Sequence, residues 1–166
     1  MPARSAGLLL YRTTTAGLEV LLAHPGGPFW ARKDDGVWSV PKGEYEEGDD
    51  ALAAARREFG EETGLSLPAG LPWPLGEVTQ RSGKRVTAWA LEGDLDLTGA
   101  SSNTFEMEWP RGSGRLAEFP EVDRIEWLTL ERAQTKIIPA QSPFLDRLRQ
   151  ALAEAGTGLP SGGPPP

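Results

Sequence analysis

Two short apolar runs open the chain, AGLLLYR at 6–12 and LEVLLA at 18–23, with Thr-rich, Gly-containing sequence between them. Runs of this length bounded by turn residues predict two β-strands, paired with each other. The pattern then breaks. HPGGPFWARKDDG at 24–36 is punctuated by Pro and Gly and predicts an exposed loop. VWSVPKG places a short apolar stretch ahead of Pro41, whose ring cannot donate to a sheet ladder. Residues 50–63 carry the strongest helical signal: Asp50 suits an N-cap, the alanine-rich DALAAARREF follows, and Gly64 stands where a C-terminal cap glycine belongs. LPAGLPWPLG then reads as a proline-rich connection, and GEVTQRS with KRVTAWALEG as a hairpin turning at Ser82 and Gly83. Residues 93–120 show no convincing periodicity, and a loop this long in a compact domain is either functional or disordered. VDRIEWLTL predicts a further strand, LERAQTKI a short helix, and PFLDRLRQALAEA a closing amphipathic helix with Phe144, Leu145, Leu148 and Leu152 on its apolar side.

Composition narrows the picture. With 166 residues the chain suits one domain, expected over 1–155, followed by a tail at 156–166 whose Pro/Gly composition predicts disorder. The absence of cysteine excludes a disulfide framework, thiolate catalysis and Cys-ligated zinc. No segment has the length of a membrane span, and the N-terminus lacks the small-residue cleavage pattern of a secretory signal, so a cytoplasmic location is expected. A formal charge of -7 argues against a large nucleic-acid footprint, because phosphate backbones are bound by net basic surfaces. An anionic ligand would need local cations or a metal to receive it.

One stretch works against its own predicted structure. RREFGEETG at 56–64 sets Glu58, Glu61 and Glu62 side by side on a helix, next to the stripe formed by Leu52, Ala55 and Phe59. Like charges at these spacings cost an isolated helix roughly 0.2 to 0.5 kcal/mol per pair. Gly60 adds about 1 kcal/mol relative to Ala. Such violations cluster where something outside the helix compensates, and a hard divalent cation, which seeks carboxylate oxygens and shares its remaining positions with phosphates, is one such partner. A solvated acidic face salted by Arg56 and Arg57 is the other reading.

Taken with what precedes it, the stretch resembles the signature of the Nudix hydrolases: Gly, five residues, Glu, seven residues, then Arg-Glu-(apolar)-x-Glu-Glu-x-Gly-(apolar). Here Gly43 is followed by Asp49, and then by Arg57-Glu58-Phe59-Gly60-Glu61-Glu62-Thr63-Gly64-Leu65, so that Asp49 is the sole departure. The resemblance implies an α/β fold, an α/β/α sandwich around a mixed β-sheet. It implies divalent-ion binding by Glu58, Glu61 and Glu62, with Mg2+ the expected ion and Mn2+ an option, and a backbone carbonyl at Lys42 or Gly43 completing the shell. It also implies that Glu58 orients or deprotonates the attacking water, that Arg57 holds the glutamates, and that Gly43 starts a tight loop. Asp49 has the same charge as Glu with one methylene less, at a position that supports the motif. A further acid from outside the helix is expected at Glu121, six residues before Trp127, with Glu118 as runner-up.

The implied reaction cleaves a nucleoside diphosphate linked to another group. PKG at 41–43 resembles relatives acting on dinucleoside polyphosphates (the diadenosine tetraphosphate type) or diphosphoinositol polyphosphates. Lys42, Lys84, Arg81 and Arg85 are the candidate phosphate contacts, although the hairpin arginines read equally as a solvated edge. Trp109, Arg111 and Arg115 could stack a base and bind a distal phosphate, or be a buried Trp beside solvated arginines. Tyr45 could stack on a base or anchor a loop, and His24, the sole histidine, reads as an incidental loop residue. The rival readings are a house-cleaning nucleoside triphosphate pyrophosphatase and a nucleotide-sensing module without activity. Oligomeric state leaves no mark in the sequence.

Overall fold

The computed structural model describes residues 3–156, so the expected tail from 157 onward lies outside the described residues. The architecture is built on β1 (Arg4–Thr14), whose apolar run is buried on both faces. Alternation along a strand sends neighbouring side chains to opposite sides. Ala6, Leu8 and Leu10 therefore enter one core, and Leu9 and Tyr11 enter another. β1 pairs antiparallel with β2 (Gly17–Pro25), as the opening pattern predicts, and antiparallel with the short β3 (Lys42–Tyr45). On its other side it runs parallel to β5 (Arg85–Glu92). With β4 (Trp73–Thr79) and β8 (Val122–Thr129) the mixed sheet has the order β4-β5-β1-β2-β8, and β3 branches from β1.

Helices cover both faces. α1 (Ala51–Thr63) lays Ala54, Ala55 and Phe59 onto Ala6, Leu8, Leu10 and Leu21. α2 (Leu130–Lys136) and α3 (Ser142–Gly156) close the other face, where Ala133, Phe144, Leu145 and Leu148 meet Leu9, Tyr11 and Leu22. This is the α/β/α sandwich the sequence led us to expect. No helix among the described residues is long and apolar enough to cross a membrane.

Three expectations are corrected. The proline-rich connection is partly strand: β4 begins at Trp73 and runs through Pro74, which an edge strand tolerates because its outer side needs no donor. Residues 93–120 are not one irregular loop. They contain a second, two-stranded sheet, β6 (Thr104–Glu108) paired with β7 (Leu116–Pro120). Gly156, assigned by composition to the tail, closes α3.

Candidate active site

The acidic helix is held at both ends. Asp50 caps its start, its carboxylate accepting from the backbone N–H of Ala53 at 2.9 Å. At the other end Gly64 adopts φ 70° and donates its N–H to the carbonyl of Gly60. Two more terminal carbonyls are taken up from outside: Glu61 O accepts from Asn103 N and Thr63 O from Ser101 N, both at 2.8 Å. Phe59, fully buried, fixes the helix's rotation, so Glu58, Glu61 and Glu62 emerge at the edge of the packed face.

They emerge into a cavity of about 330 Å3. Glu58, Glu61, Glu62 and Glu121 line it together with Glu44, and Lys42 and Lys84 contribute cations. Glu121 reaches it from the turn between β7 and β8, its backbone N–H held by Asn103 O at 2.8 Å and its carbonyl by Gly26 N at 3.0 Å. Gly43 does not start a loop, contrary to expectation. It lies within β3 opposite Ala6, and its missing side chain leaves the space that the Glu58 carboxylate occupies.

Burial perturbs these groups, and neighbouring charges add to it. Burial, with the charges of Glu58 and Glu121 adding to it, pushes the Glu62 carboxyl up to about 7, although Glu62 Oε1 accepts the Lys42 N–H at 3.1 Å. Burial and then the charge of Glu61 raise Glu58 as well. Lys42 is shifted the other way, its ammonium disfavoured first by burial and then by Lys84. Lys84 is itself paired with Glu44 at 3.0 Å.

This donor set fits a hard divalent cation, since Glu58, Glu61, Glu62 and Glu121 line one cavity and Glu58 and Glu62 are both pushed toward their neutral forms. Among the described residues no three acidic or histidine side chains already converge on a single point, so gathering them on one ion takes side-chain rotation. Arg57 makes only a long 3.5 Å contact with Glu58 and is half exposed, a looser hold than the expected role requires. Asp49 sits apart from the cavity: its carboxylate accepts from Glu46 N at 3.1 Å and closes the turn that leads into α1.

Several candidates are not brought together. Arg81 and Arg85 are exposed on the hairpin, and neither lines the cavity. Tyr45 packs against the α1 core and acts as an anchor. Trp109, Arg111 and Arg115 lie at the tip of the β6–β7 hairpin, where Trp109 is 40% exposed and not the buried residue of the blander reading. Glu118 faces Glu106 in that small sheet, away from the cavity. His24 is neither in a loop nor incidental. It is fully buried in β2, with Nδ1 2.7 Å from the Asp123 carboxylate and Nε2 donating to the Lys33 carbonyl at 2.6 Å, and it thereby pins the 26–33 loop. Sequence reasoning missed Ser5, Glu44 and Asn103 in the cavity wall. Only Ser5 left a trace, as a polar residue at the edge of an apolar strand.

Comparisons with known proteins agree with this geometry. Residues 1–148 match the family model described as NUDIX domain. A protein of Bradyrhizobium sp. named RNA pyrophosphohydrolase is 28% identical over 135 residues, covering 75% of this chain and 78% of that protein. One of Mycolicibacterium smegmatis named 8-oxo-(d)GTP phosphatase is 31% identical over 146 residues, 81% of this chain but only 37% of the longer relative. Among solved structures, a C. elegans Ap4A hydrolase in a binary complex superposes with a TM-score of 0.63 at 23% identity, covering 92% of this chain and 98% of that one. The NUDIX domain of Shewanella oneidensis NrtR complexed with ADP ribose gives 0.63 at 15% identity, covering 92% and 89%. At these identities the structural likenesses speak for the fold.

Proposed function

The chain belongs to the Nudix hydrolase family, and on that premise we propose that it hydrolyses a nucleoside diphosphate linked to another group, most favourably a dinucleoside polyphosphate, with a divalent cation at Glu58, Glu61, Glu62 and Glu121. The observation that carries this reading is the cavity in which those carboxylates and the cations Lys42 and Lys84 meet. When bound, Mg2+ or Mn2+ supplies neutralisation of the diphosphate oxygens and makes a water more acidic. The chain's own residues do the rest. Glu58, its carboxyl raised by burial, takes a proton from the attacking water, a task that favours a base whose pKa lies nearer neutrality. Lys42 and Lys84 hold the phosphate oxygens so that the attack is in line. A bond forms between the water oxygen and phosphorus, the bridging P–O bond breaks, and the leaving phosphate takes the electron pair. A diphosphoinositol polyphosphate would use the same contacts, and two lysines in an acidic protein suit any substrate with several phosphates.

A second reading, a nucleoside triphosphate pyrophosphatase, is favoured by the name of the M. smegmatis relative. A panel of dinucleoside polyphosphates, diphosphoinositol polyphosphates, nucleoside triphosphates and 5′-triphosphorylated RNA, run with Mg2+ and scored by product mass, separates the two. Dinucleoside tetraphosphate cleaved at least tenfold faster than any triphosphate supports the first reading, and the reverse order supports the second. Glu62→Gln should abolish turnover. Activity surviving that change would displace the assignment of the metal site, and a wild-type protein inert on the whole panel would end the enzymatic proposal.

A further inference from the structure

Among the described residues one buried side-chain polar atom lacks a hydrogen-bond partner, the Oγ of Ser5. The other buried polar side chains are satisfied: His24 by Asp123 and Lys33, Thr63 by Phe59 O, and Gln141 by Ser39, Val40 and Gln80. Ser5 is 1% exposed in the central strand, opposite Glu44 of β3 on one side and Val86 of β5 on the other, and it lines the cavity described above. Opposed residues of an antiparallel pair share a face. Ser5 and Glu44 are therefore on one side of the sheet, and Lys42, two residues along β3 and opposite Gly7, is on that side too. Lys84, bonded to Glu44, adds a second cation at the same end of the cavity.

A buried hydroxyl with no partner opposes folding, whereas alanine would fill the same position at no such cost. A polar atom kept in that state in a cavity wall, beside two cations, has a partner that comes with the ligand. We infer that Ser5 is a substrate-positioning residue whose hydroxyl donates to a phosphoryl oxygen of the substrate, so that Ser5, Lys42 and Lys84 together form an anion subsite at the β1–β3 end of the cavity. This rests on the proposed function for its substrate, and not for the binding itself.

Ser5→Ala tests it by moving stability and binding in opposite directions. The variant should melt at or slightly above the wild-type temperature, because an unsatisfied buried donor is lost. Its affinity for inorganic pyrophosphate, measured by calorimetry with Mg2+ present, should fall about tenfold, the low end for a hydrogen bond to a charged group. With a diphosphate-linked substrate, KM should rise by a similar factor while kcat changes less, and Ser5→Thr, which keeps the hydroxyl, should restore most of the loss. Unchanged pyrophosphate affinity and KM overturn the inference. So does a melting temperature lowered by several degrees with activity lost in proportion, the mark of a purely structural serine. Because the pyrophosphate measurement needs no turnover, it reads Ser5 even if the wild-type protein hydrolyses nothing on the panel, an outcome that would instead remove the functional proposal.

Discussion

Gly43→Ala should separate folding from catalysis. A Cβ built on Gly43 falls 2.5 Å from Glu58 Cγ, and closer still to its carboxyl carbon and Oε2. Ordinary carbon contacts begin at about 3.5 Å, so the carboxylate must withdraw by roughly 1 to 1.5 Å. What has to move is the end of a flexible side chain whose partners, Arg57 at 3.5 Å and Glu61, are themselves flexible side chains. Forcing it off its rotamer costs about 0.5 to 1.5 kcal/mol, and replacing Gly by Ala within a strand returns part of that. The melting temperature should therefore fall by only a few degrees. A displacement of this size at a reacting group costs on the order of 100-fold in rate, so kcat/KM on the preferred substrate with Mg2+ should drop by about that factor. Gly26→Ala is the contrast. There the new methyl meets the carbonyl of Pro120, with its carbon at 2.9 Å and its oxygen closer, and a backbone cannot swing aside. That variant should lose more than about 2 kcal/mol of stability. Gly43→Ala with kcat/KM within threefold of wild type would refute the claim that the bare strand position places Glu58. A collapse in melting temperature would show that the strand, not the side chain, absorbs the clash.

Glu62 predicts a pH dependence of stability. Its folded-state pKa of about 7 lies above the ordinary 4.5, so the folded protein binds the proton more tightly, and this contribution to stability is present below about pH 4.5 and lost as pH rises through 7. Glu62→Gln should flatten that part of the melting profile in metal-free buffer, and a profile as steep as wild type would refute it. Gly60 faces open space, so Gly60→Ala should raise stability by about 0.5 to 1 kcal/mol in urea titration; a loss would mean that the gap is needed. Asp49→Ala removes the bond to Glu46 N and should cost about 1 kcal/mol while kcat stays within a few-fold, whereas Asp49→Glu raising turnover by orders of magnitude would assign that position to the chemistry.

What the sequence revealed follows the strength of its local signals. β1 and β2 carry apolar runs bounded by turn residues, α1 a helical pattern with caps and α3 an amphipathic one, and the carboxylates of α1 are close enough for their crowding to be read directly. β6 and β7 were hidden because TFEME and LAEFP are each one strand of five residues, too short for their alternation to stand out from surrounding Ser, Gly and Glu. Lys84 could be distinguished from Arg81 and Arg85 only in three dimensions, where the hairpin turn brings it to Glu44 across β1. His24 was misjudged because its partners, Asp123 and the Lys33 carbonyl, lie far along the chain or in the backbone. Ser5 shows the same limit: its interest comes from the absence of a partner, and no sequence pattern records an absence.

Asn103 donates its backbone N–H to Glu61 O and gives its carbonyl to Glu121 N, each at 2.8 Å. One residue thus clamps the end of the acidic helix to the acid in the β7–β8 turn, through main-chain atoms that any non-proline residue possesses. Segment 93–102 is tied in as well, by Ser101 N to Thr63 O and by the Trp127 indole to Leu95 O, so it is the hairpin tip at 109–115 that is uncoupled from the spacing of the reactive groups. The clamp makes the hairpin tip modular: a new tip grafted between 109 and 115 should leave the placement of Glu61 and Glu121 intact.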